Sequence, residues 1–178
     1  MEKLEFYPVT SEWQKQMALE FNFKIVKRLR PCQSKQFGSK QVPTNCKSIL
    51  PDGNCLFATF SFSLTGTPEQ HGLIRTMITD YMIKRHNELN ISSNYVSTTE
   101  MNKIGTWGTD IEIQVAANMF RTRVYVYSLY GGSFKWLRFE PNQFSRRDFD
   151  ESIYIRHCSY APKSSHNCLN HFKPVLDI

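Results

Sequence analysis

Apolar side chains recur at helical spacing in four stretches of the chain, and polar caps precede three of them. The predicted helices cover residues 11–21, 55–66, 67–89 and 109–120. The segments Ser11-Glu12-Trp13-Gln14 and Thr109-Asp110-Ile111-Glu112 have the spacing of a capping box, in which the first and fourth residues bond each other's main-chain amides. Thr67, followed by Pro68 and Gln70, is a third typical helix start. This part of the chain is therefore predicted to be mainly helical.

Branched and aromatic residues dominate after Arg121 and predict β-strands. The predicted strands cover residues 123–127, 134–139, 152–156 and 171–176, and a turn at 130–133 makes the first two a hairpin. Pro174 lies in the last of them. Because proline has no N–H to donate, we expect that strand at an edge or an end of the sheet. Helices followed by strands predict an α+β domain with a central, mostly antiparallel sheet flanked by helices.

Two segments lack a clear period. Residues 31–51 carry three prolines and predict a long loop that leads to Asp52. Residues 90–106 are polar, and Met101 and Ile104 are their expected apolar anchors.

The composition is that of an ordinary globular protein of about one domain. The chain has 178 residues, 40% of them hydrophobic and 21% charged, which suffices for a core without disulfides. It has no apolar stretch near the roughly 20 residues that span a bilayer, and its first residues do not resemble a signal peptide. Five cysteines, an odd number, suit a reducing compartment. We therefore predict a soluble cytoplasmic or nuclear protein without a membrane partner.

A basic stretch distinguishes the N-terminal part of a chain whose formal net charge is +6. Between positions 24 and 47 there are seven basic residues and no acidic one: Lys24, Lys27, Arg28, Arg30, Lys35, Lys40 and Lys47. Such a stretch attracts phosphate groups or an acidic protein surface, or it is a solvated arm. Nucleic-acid modules also stack bases on aromatic side chains, and Phe37 is the only aromatic residue in the stretch. We therefore favour the solvated arm over nucleic-acid binding.

The clearest chemical signal is Asp52-Gly53-Asn54-Cys55, which precedes an apolar run. Asp, Gly and Asn favour turns and helix starts, so Cys55 is predicted in the first turn of a helix. There the unpaired N–H groups and the positive end of the helix dipole favour the thiolate, the reactive form of cysteine. We predict Cys55 as a nucleophile, with main-chain N–H groups of Gly53 and Asn54 binding the oxyanion that its attack creates.

A cysteine nucleophile needs a base, and histidine suits this role because it titrates near neutral pH. His71 and His86 lie on the predicted helix 67–89, where a surface or helix-end position is expected. Three more histidines lie in the C-terminal β region: His157, His166 and His171. These are far from Cys55 in sequence, and the residues alone do not choose among them.

The same three histidines and two cysteines, Cys158 and Cys168, offer five metal-ligand side chains within fifteen residues. A zinc site would normally contain a paired C-x2-C unit, and the sequence has none there. We therefore interpret Cys158 and Cys168 as buried apolar thiols. We predict neither a metal site nor a cofactor.

Three blocks of the sequence together resemble the ovarian tumour (OTU) family of cysteine proteases. The segment 52–57, Asp-Gly-Asn-Cys-Leu-Phe, is similar to the one that opens the family's central helix. The segment 105–113, which contains Trp107-Gly108 and is followed by the strand 124–127, is similar to its Trp-Gly block. Asn170-His171-Phe172 resembles the motif that carries the catalytic histidine. The resemblance spans residues 46–176, and the order of the blocks makes it specific.

The resemblance implies a papain-like cysteine protease fold and hydrolysis of isopeptide bonds at the C-terminal glycine of ubiquitin. By this resemblance Cys55 is the nucleophile, His171 is the base and Asp52 is the acidic member of a Cys-His-Asp site. The implied partners are ubiquitin, polyubiquitin or a ubiquitin-like modifier.

The resemblance also implies a boundary between an N-terminal extension and a catalytic domain. We expect residues 46–178 to form the catalytic domain, and residues 1–45 to be an N-terminal extension, a short helix and a basic loop packed on it. Trp107 and Gly108 are expected beside the substrate channel. A tryptophan before a helix cap is, however, also a typical packing anchor, because its burial removes a large apolar area from water.

One position departs from the family pattern. Many members carry an acidic or amide residue two positions after the histidine to orient its ring, and this chain has Lys173 there. An ammonium cannot accept a hydrogen bond from the imidazole N–H. The orienting group must then be Asp52, Asn170 or a main-chain carbonyl. The departure also leaves open a second function, a catalytically weak module that binds ubiquitin or a ubiquitin-like modifier without efficient turnover.

Overall fold

The computed structural model of the chain describes residues 3–142, 151–160 and 169–178. Its helices are α1 (Ser11–Phe21), α2 (Cys55–Thr65), α3 (His71–Arg85), α4 (Tyr95–Thr99) and α5 (Asp110–Phe120). Its strands are β1 (Lys3–Phe6), β2 (Lys35–Gly38), β3 (Asn45–Cys46), β4 (Arg123–Tyr130), β5 (Ser133–Phe139), β6 (Ser152–Tyr160) and β7 (Leu169–Asp177). Two residues of the sequence analysis, His166 and Cys168, lie outside the described residues.

A five-stranded sheet forms the centre of the fold, in the order β3-β7-β6-β4-β5. β4 and β6 run parallel, and the other three neighbouring pairs are antiparallel. Strands β1 and β2 form a separate antiparallel pair. In the predicted hairpin of β4 and β5, Gly131 and Gly132 form the turn with positive φ angles, the conformation that matches the twist of the strands. The predicted α+β class, with a mostly antiparallel sheet, is confirmed.

The two faces of the sheet pack against different parts of the chain. On β4, Val124 and Val126 belong to the main core, which the helices complete. Tyr125 and Tyr127 alternate with them and belong to an aromatic cluster on the other face. Phe6 and Phe37, from β1 and β2, cover that cluster. The helices that the structure describes therefore pack on one face of the sheet, and the site described below is on this face.

Helix α2 occupies the middle of the helical layer. Every residue from Cys55 to Thr65 is buried except Phe62. A helix that is apolar on all sides belongs in the interior of a protein, and α2 packs between α1, α3 and β7. Gly66 ends it in the left-handed conformation that only glycine adopts without strain, as the sequence predicts. The position of α2 brings its first residue, Cys55, to strand β7.

The N-terminal residues contribute to the same cores. Trp13 and Met17 of α1 are buried in the main core, and Trp13 Nε1–H donates a hydrogen bond to Thr122 Oγ1 at 3.0 Å. Strand β3 spans the predicted boundary at residue 45 and pairs with β7. The division of the chain at this residue stays a prediction.

Of the three predicted helix starts, the one at Thr109 is confirmed and the one at Ser11 shifts by one residue, whereas Thr67 makes no capping bond with its side chain. Thr109 and Glu112 form the predicted capping box: the Thr109 side chain accepts from Ile111 N–H at 3.2 Å, and Glu112 accepts from Thr109 N–H at 2.8 Å. The cap of α1 is Thr10, which accepts from Trp13 N–H, and so lies one residue before the predicted Ser11. The helix predicted over 67–89 is shorter. A 3-10 turn, Pro68–Gln70, precedes α3, which ends at Arg85.

Three other predictions are wrong in part. The loop predicted over 31–51 contains β2 and β3, and the polar segment 90–106 contains α4; each is too short to show a period. Met101 is buried as expected, but Ile104 is 61% exposed.

Pro174 does not place β7 at an edge of the sheet, because β3 lies beside it. That neighbour is only two residues long and shifts register, so proline interrupts no continuous ladder.

Candidate active site

The turn before α2 is built by a bond between a side chain and the main chain. Asp52 Oδ1 accepts a hydrogen bond from Asn54 N–H at 2.9 Å, and Gly53 has a φ of +85°. The Asn54 carbonyl then accepts the first bond of the helix, from Ala58 N–H at 2.8 Å. This sequence of turn residues delivers Cys55 as the first residue of α2, as predicted.

Gly53 lies against the main chain of a neighbouring segment. A Cβ atom built at Gly53 would overlap the carbonyl oxygen of Gly105, and the positive φ independently disfavours every side chain. Gly53 is therefore required both by its own conformation and by its neighbour.

We expect Gly53→Ala to destabilise the protein more than the same change at Gly132. Gly132 also has a positive φ, of +80°, but no atom within 4 Å of an added Cβ. The control should lose about 1–2 kcal/mol of unfolding free energy, and Gly53→Ala about 2–5 kcal/mol because overlap with main chain adds to the conformational strain. Denaturant titration measures both values. Equal losses would contradict the close contact between Gly53 and Gly105.

The side chain of Asn54 connects the turn to two other segments. Its Oδ1 accepts Gly105 N–H at 2.7 Å and an Nη2–H of Arg75 at 3.0 Å. Arg75 Nη2 also donates to the Gly53 carbonyl at 3.0 Å, and its Nη1 donates to the Met101 carbonyl at 2.9 Å. Helix α3 and the segment 101–105 therefore hold the turn in place.

Arg75 is not among the site residues predicted from the sequence, although the sequence contains a signal for it. On α3, Ile74, Ile78 and Met82 are buried, and Arg75 lies beside them on the buried face. A single cation at a position that helical spacing assigns to an apolar face needs acceptors inside the protein. The identity of those acceptors follows only from the fold.

The sulfur of Cys55 lies against the main chain of β7. The thiol donates a hydrogen bond to the Asn170 carbonyl oxygen, with the sulfur 3.5 Å from it. The main-chain N–H groups of Phe172 and Leu56 lie close enough to the same sulfur to lower the pKa of the thiol. His171 is the residue between Asn170 and Phe172, and it is buried, with 5% of its surface exposed. The fold thus brings Cys55 to the strand position that carries His171.

Burial favours the neutral forms of the Cys55 thiol and the His171 imidazole. It raises the pKa of the Cys55 thiol, and the charge of Asp52 raises it further, although hydrogen bonds from main-chain N–H groups oppose this. Burial also lowers the pKa of His171, and Lys173 adds to this effect while Asp52 opposes it. Burial therefore opposes the thiolate that the helix start alone favours.

We expect alkylation of Cys55 by iodoacetamide to accelerate with pH throughout the neutral range. With a raised thiol pKa and a lowered imidazole pKa, the reactive thiolate forms mainly above the ordinary thiol value of about 8.5. Peptide mapping of the alkylated Cys55 between about pH 5 and about pH 10 measures this rate without interference from other cysteines. A rate that is already maximal below neutral pH would reveal a thiolate–imidazolium pair and contradict the expectation.

His157 is held by two neighbours on the sheet. Its Nδ1 lies 2.7 Å from Ser128 Oγ and its Nε2 lies 3.0 Å from Asn170 Oδ1. In the tautomer that fits both contacts, Nε2–H donates to Asn170 and Nδ1 accepts from the Ser128 hydroxyl. The ring also packs on Phe172, with centroids 4.9 Å apart. Asn170 Oδ1, one of the groups proposed to orient His171, is therefore bound to His157.

His71, His86 and Trp107 lie outside the contact between Cys55 and β7. His71 begins α3 and His86 follows its last residue, as expected for helix-end positions. Trp107 is half-buried and packs against the main core, and a Cβ on Gly108 would meet the Leu56 side chain at 2.5 Å. Gly108 thus allows close packing on α2. The role of Trp107 and Gly108 beside a substrate channel stays a prediction.

A cleft of about 420 Å³ opens beside the turn. Its lining includes Asp52, Asn54, Leu50, Glu69 and His71. Two carboxylates and an imidazole therefore border the open side of the turn that precedes Cys55.

Among the described residues, no three His, Cys, Asp or Glu side chains are arranged to hold a metal ion. Cys158, expected to be a buried thiol, is partly exposed, and it lies close enough to Cys46 to affect the pKa of that thiol. In the part of the chain that the structure describes, no helix has the length and apolar character needed to cross a membrane.

The sequence matches the family model described as OTU-like cysteine protease over residues 50–166. This range includes Cys55 and Trp107, and His171 lies beyond it. In Arabidopsis thaliana, the ovarian tumor domain-containing deubiquitinating enzyme 6 is 29% identical over 87 residues, which are 46% of this chain and 17% of that protein. Enzyme 7 of the same series is 24% identical over 150 residues, 79% of this chain and 37% of that protein. The chain spans well under half of these relatives.

Solved structures show the same fold at low sequence identity. The OTU domain of OTUD1 has a TM-score of 0.58 and 17% identity, covering 74% of this chain and 85% of that domain. The viral OTU domain protease from Qalyub virus has a TM-score of 0.57 and 18% identity, covering 75% and 84%. The likeness extends over most of both known domains.

Proposed function

Because the chain belongs to the OTU-like cysteine protease family, we propose that it is a thiol-dependent hydrolase that cleaves isopeptide bonds at the C-terminal glycine of ubiquitin. Membership of the family supports the reaction class, and the similarity to solved OTU domains supports a papain-like fold of the OTU type. The relatives named as deubiquitinating enzymes support ubiquitin as the substrate.

The observation that carries the proposal is the contact of Cys55 with β7. The sulfur contacts the Asn170 carbonyl and lies close enough to the Phe172 N–H for that group to lower the thiol pKa, so it lies beside the residue between them, His171. Nucleophile and base come from distant parts of the chain and meet only in the fold, as in other cysteine hydrolases.

Catalysis begins from a neutral pair. When the glycine carbonyl of the substrate binds, the His171 imidazole accepts the Cys55 proton, and the thiolate attacks the carbonyl carbon. His171, now an imidazolium, gives its proton to the departing lysine amine, which leaves a thioester on Cys55. Water, deprotonated by His171, hydrolyses the thioester to the carboxylate and regenerates the thiol.

The tetrahedral intermediate needs hydrogen-bond donors at the turn before α2. Each such donor typically contributes about 3 kcal/mol to lowering the barrier. The Asn54 N–H proposed for this role is bound to Asp52 in the structure, so the Asp52 side chain must release it before it can reach an oxyanion. The Gly53 N–H is the other proposed donor of the same turn.

Asp52 is the proposed acidic member of the site. Its charge raises the pKa of His171, which stabilises the imidazolium that forms during catalysis, whereas Lys173 lowers that pKa. Asn170 is a weaker choice, because its Oδ1 is bound to His157. Asp52 thus compensates for the lysine that replaces the usual orienting residue.

The second candidate is a module that binds ubiquitin or a ubiquitin-like modifier without efficient turnover. The raised thiol pKa of Cys55 and the cation of Lys173 beside the base both favour it. It keeps the fold and the substrate surface but lacks a rapid proton transfer.

Ubiquitin carrying a fluorogenic amide at its C-terminal glycine separates the two candidates. Saturable release of the fluorophore by the wild-type chain supports the hydrolase. Binding of the same ubiquitin without release supports the module, and the absence of both would overturn the proposal. A panel of linkage-defined diubiquitins and ubiquitin-like modifiers then identifies the preferred substrate.

A further inference from the structure

Arg75 is a fully buried cation whose acceptors are neutral. Its side chain is 0% exposed, and no carboxylate in the described part of the chain lies within ion-pair distance of it. Nη1 donates to the Met101 carbonyl, and Nη2 donates to the Gly53 carbonyl and to Asn54 Oδ1. The guanidinium also lies over the Phe57 ring, 4.0 Å from its centroid.

This arrangement is unusual because a buried charge without an ionic partner is unfavourable. Burial lowers the pKa of Arg75 to about 10, which still leaves the side chain charged at neutral pH. Lysine or methionine would fill the same space, but only a guanidinium presents several donors in one rigid plane. The geometry of the acceptors therefore explains why arginine occupies this position.

The acceptors of Arg75 belong to two segments that meet at the candidate active site. Gly53 and Asn54 immediately precede Cys55, and Met101 begins the segment that leads to Gly105. The two segments touch directly, because the Gly105 N–H donates to Asn54 Oδ1 at 2.7 Å. A single side chain on α3 thus joins the turn before the nucleophile to its neighbour.

We propose that Arg75 is a positioning residue for the proposed hydrolase: it fixes the turn 52–55 so that Cys55 keeps its place and the Asn54 N–H keeps its direction when the Asp52 side chain releases it. The expected effect of Arg75 on turnover rests on the proposed function. Arg75 touches no reacting atom. Its effect passes through the Gly53 carbonyl and the Asn54 side chain, which set the direction of the main-chain N–H groups of the turn.

The charge of Arg75 has a second consequence. The negative charges of Glu112, Asp52 and Cys55, in decreasing order of effect, raise the pKa of Arg75, and such an interaction is mutual. The cation therefore favours the thiolate of Cys55, although burial of the thiol acts in the opposite direction. Removing the charge should make the thiolate harder to form.

The test compares Arg75→Met, which removes the donors, with Arg75→Lys, which keeps the charge. Arg85→Met is the matched control, because Arg85 lies on the same helix but is exposed and forms a surface ion pair with Glu88. For each protein we would measure the melting temperature, the rate of Cys55 alkylation against pH, and kcat and KM for the ubiquitin amide.

We expect Arg75→Met to lower kcat by on the order of 10²-fold with little change in KM, since misplaced groups affect the transition state more than binding. Its alkylation profile should move to higher pH. Arg75→Lys should recover the alkylation profile more fully than kcat, because it restores the charge but not the planar set of donors. Arg85→Met should match the wild type in every measurement.

The proposal is overturned if folded Arg75→Met keeps the wild-type kcat and alkylation profile. If Arg75→Met does not fold, kcat of Arg75→Lys decides, because this variant lacks the planar set of donors: a wild-type kcat would overturn the proposal. Loss of the fold in both variants would also overturn it, because Arg75 would then be a determinant of folding. Alkylation requires no ubiquitin. A wild-type chain that fails to cleave ubiquitin therefore counts against the proposed function, and the alkylation profiles still decide the role of Arg75.

Discussion

Cys55→Ala is expected to lower the rate of ubiquitin amide hydrolysis by on the order of 10⁴-fold or more, while ubiquitin binding persists. The sulfur is the atom that forms the thioester, so its removal eliminates the pathway. Binding should survive because Cys55 is buried and contributes little of the surface that a protein substrate can touch. Steady-state hydrolysis and a direct binding titration measure the two effects separately.

Cys158→Ala is the matched control for this change. Cys158 is a free thiol on β6, is partly exposed, and pairs across the sheet with His171. Its substitution removes a thiol close to the same strand without touching α2, so turnover should stay close to the wild-type rate. Comparable losses in both variants would show that hydrolysis does not depend on Cys55 in particular.

His171→Ala should reduce turnover by about 10²–10⁴-fold, the usual contribution of a general acid and base. The loss should be largest below the thiol pKa, where the reaction depends on a base to remove the proton. Raising the pH should restore part of the rate, because hydroxide can then produce the thiolate. A pH profile of kcat/KM for the wild type and the variant measures this difference.

His157→Ala provides the comparison that assigns the base. His157 lies on the neighbouring strand β6, but its ring nitrogens are bound to Ser128 and Asn170. Its loss should loosen Asn170 and lower turnover less than His171→Ala, with the shape of the pH profile retained. A larger loss of turnover in His157→Ala than in His171→Ala would contradict the assignment of His171 as the base.

Local sequence explains much of the structure of the turn that precedes Cys55. Asp52, Gly53 and Asn54 each have a short-range reason for their positions, and the structure contains the turn and the helix that they predict. The strand hairpin and the capping box at Thr109 are likewise encoded within a few residues. Such features are predictable because all of their interactions are local.

Long-range contacts explain what the sequence does not reveal. Arg75 and Asn54 are separated by 21 positions, and His157 and Ser128 by 29, so no local pattern pairs them. Strands β2 and β3 are stabilised by their partners and not by their own composition. Ile104 is an apolar residue in a polar segment, but its exposure depends on how the segment 101–105, which Arg75 contacts through the Met101 carbonyl, lies against α3.

The ionisation of Cys55 illustrates the same limit. The start of a helix favours a thiolate, and this part of the expectation follows from sequence. The helix is also the most buried one in the fold's helical layer, and the cost of burying charge opposes the dipole. Which effect prevails depends on the packing of β7 against α2, which the sequence alone does not specify.

Ubiquitin with an electrophilic C-terminus tests the central claim most directly, when the adduct is mapped by mass spectrometry of its peptides. We predict a single covalent adduct on Cys55 of the wild-type chain, absent from Cys55→Ala and formed more slowly by His171→Ala. An adduct on another cysteine, or tight binding without any adduct, would contradict the assignment of Cys55 as the nucleophile of a ubiquitin hydrolase.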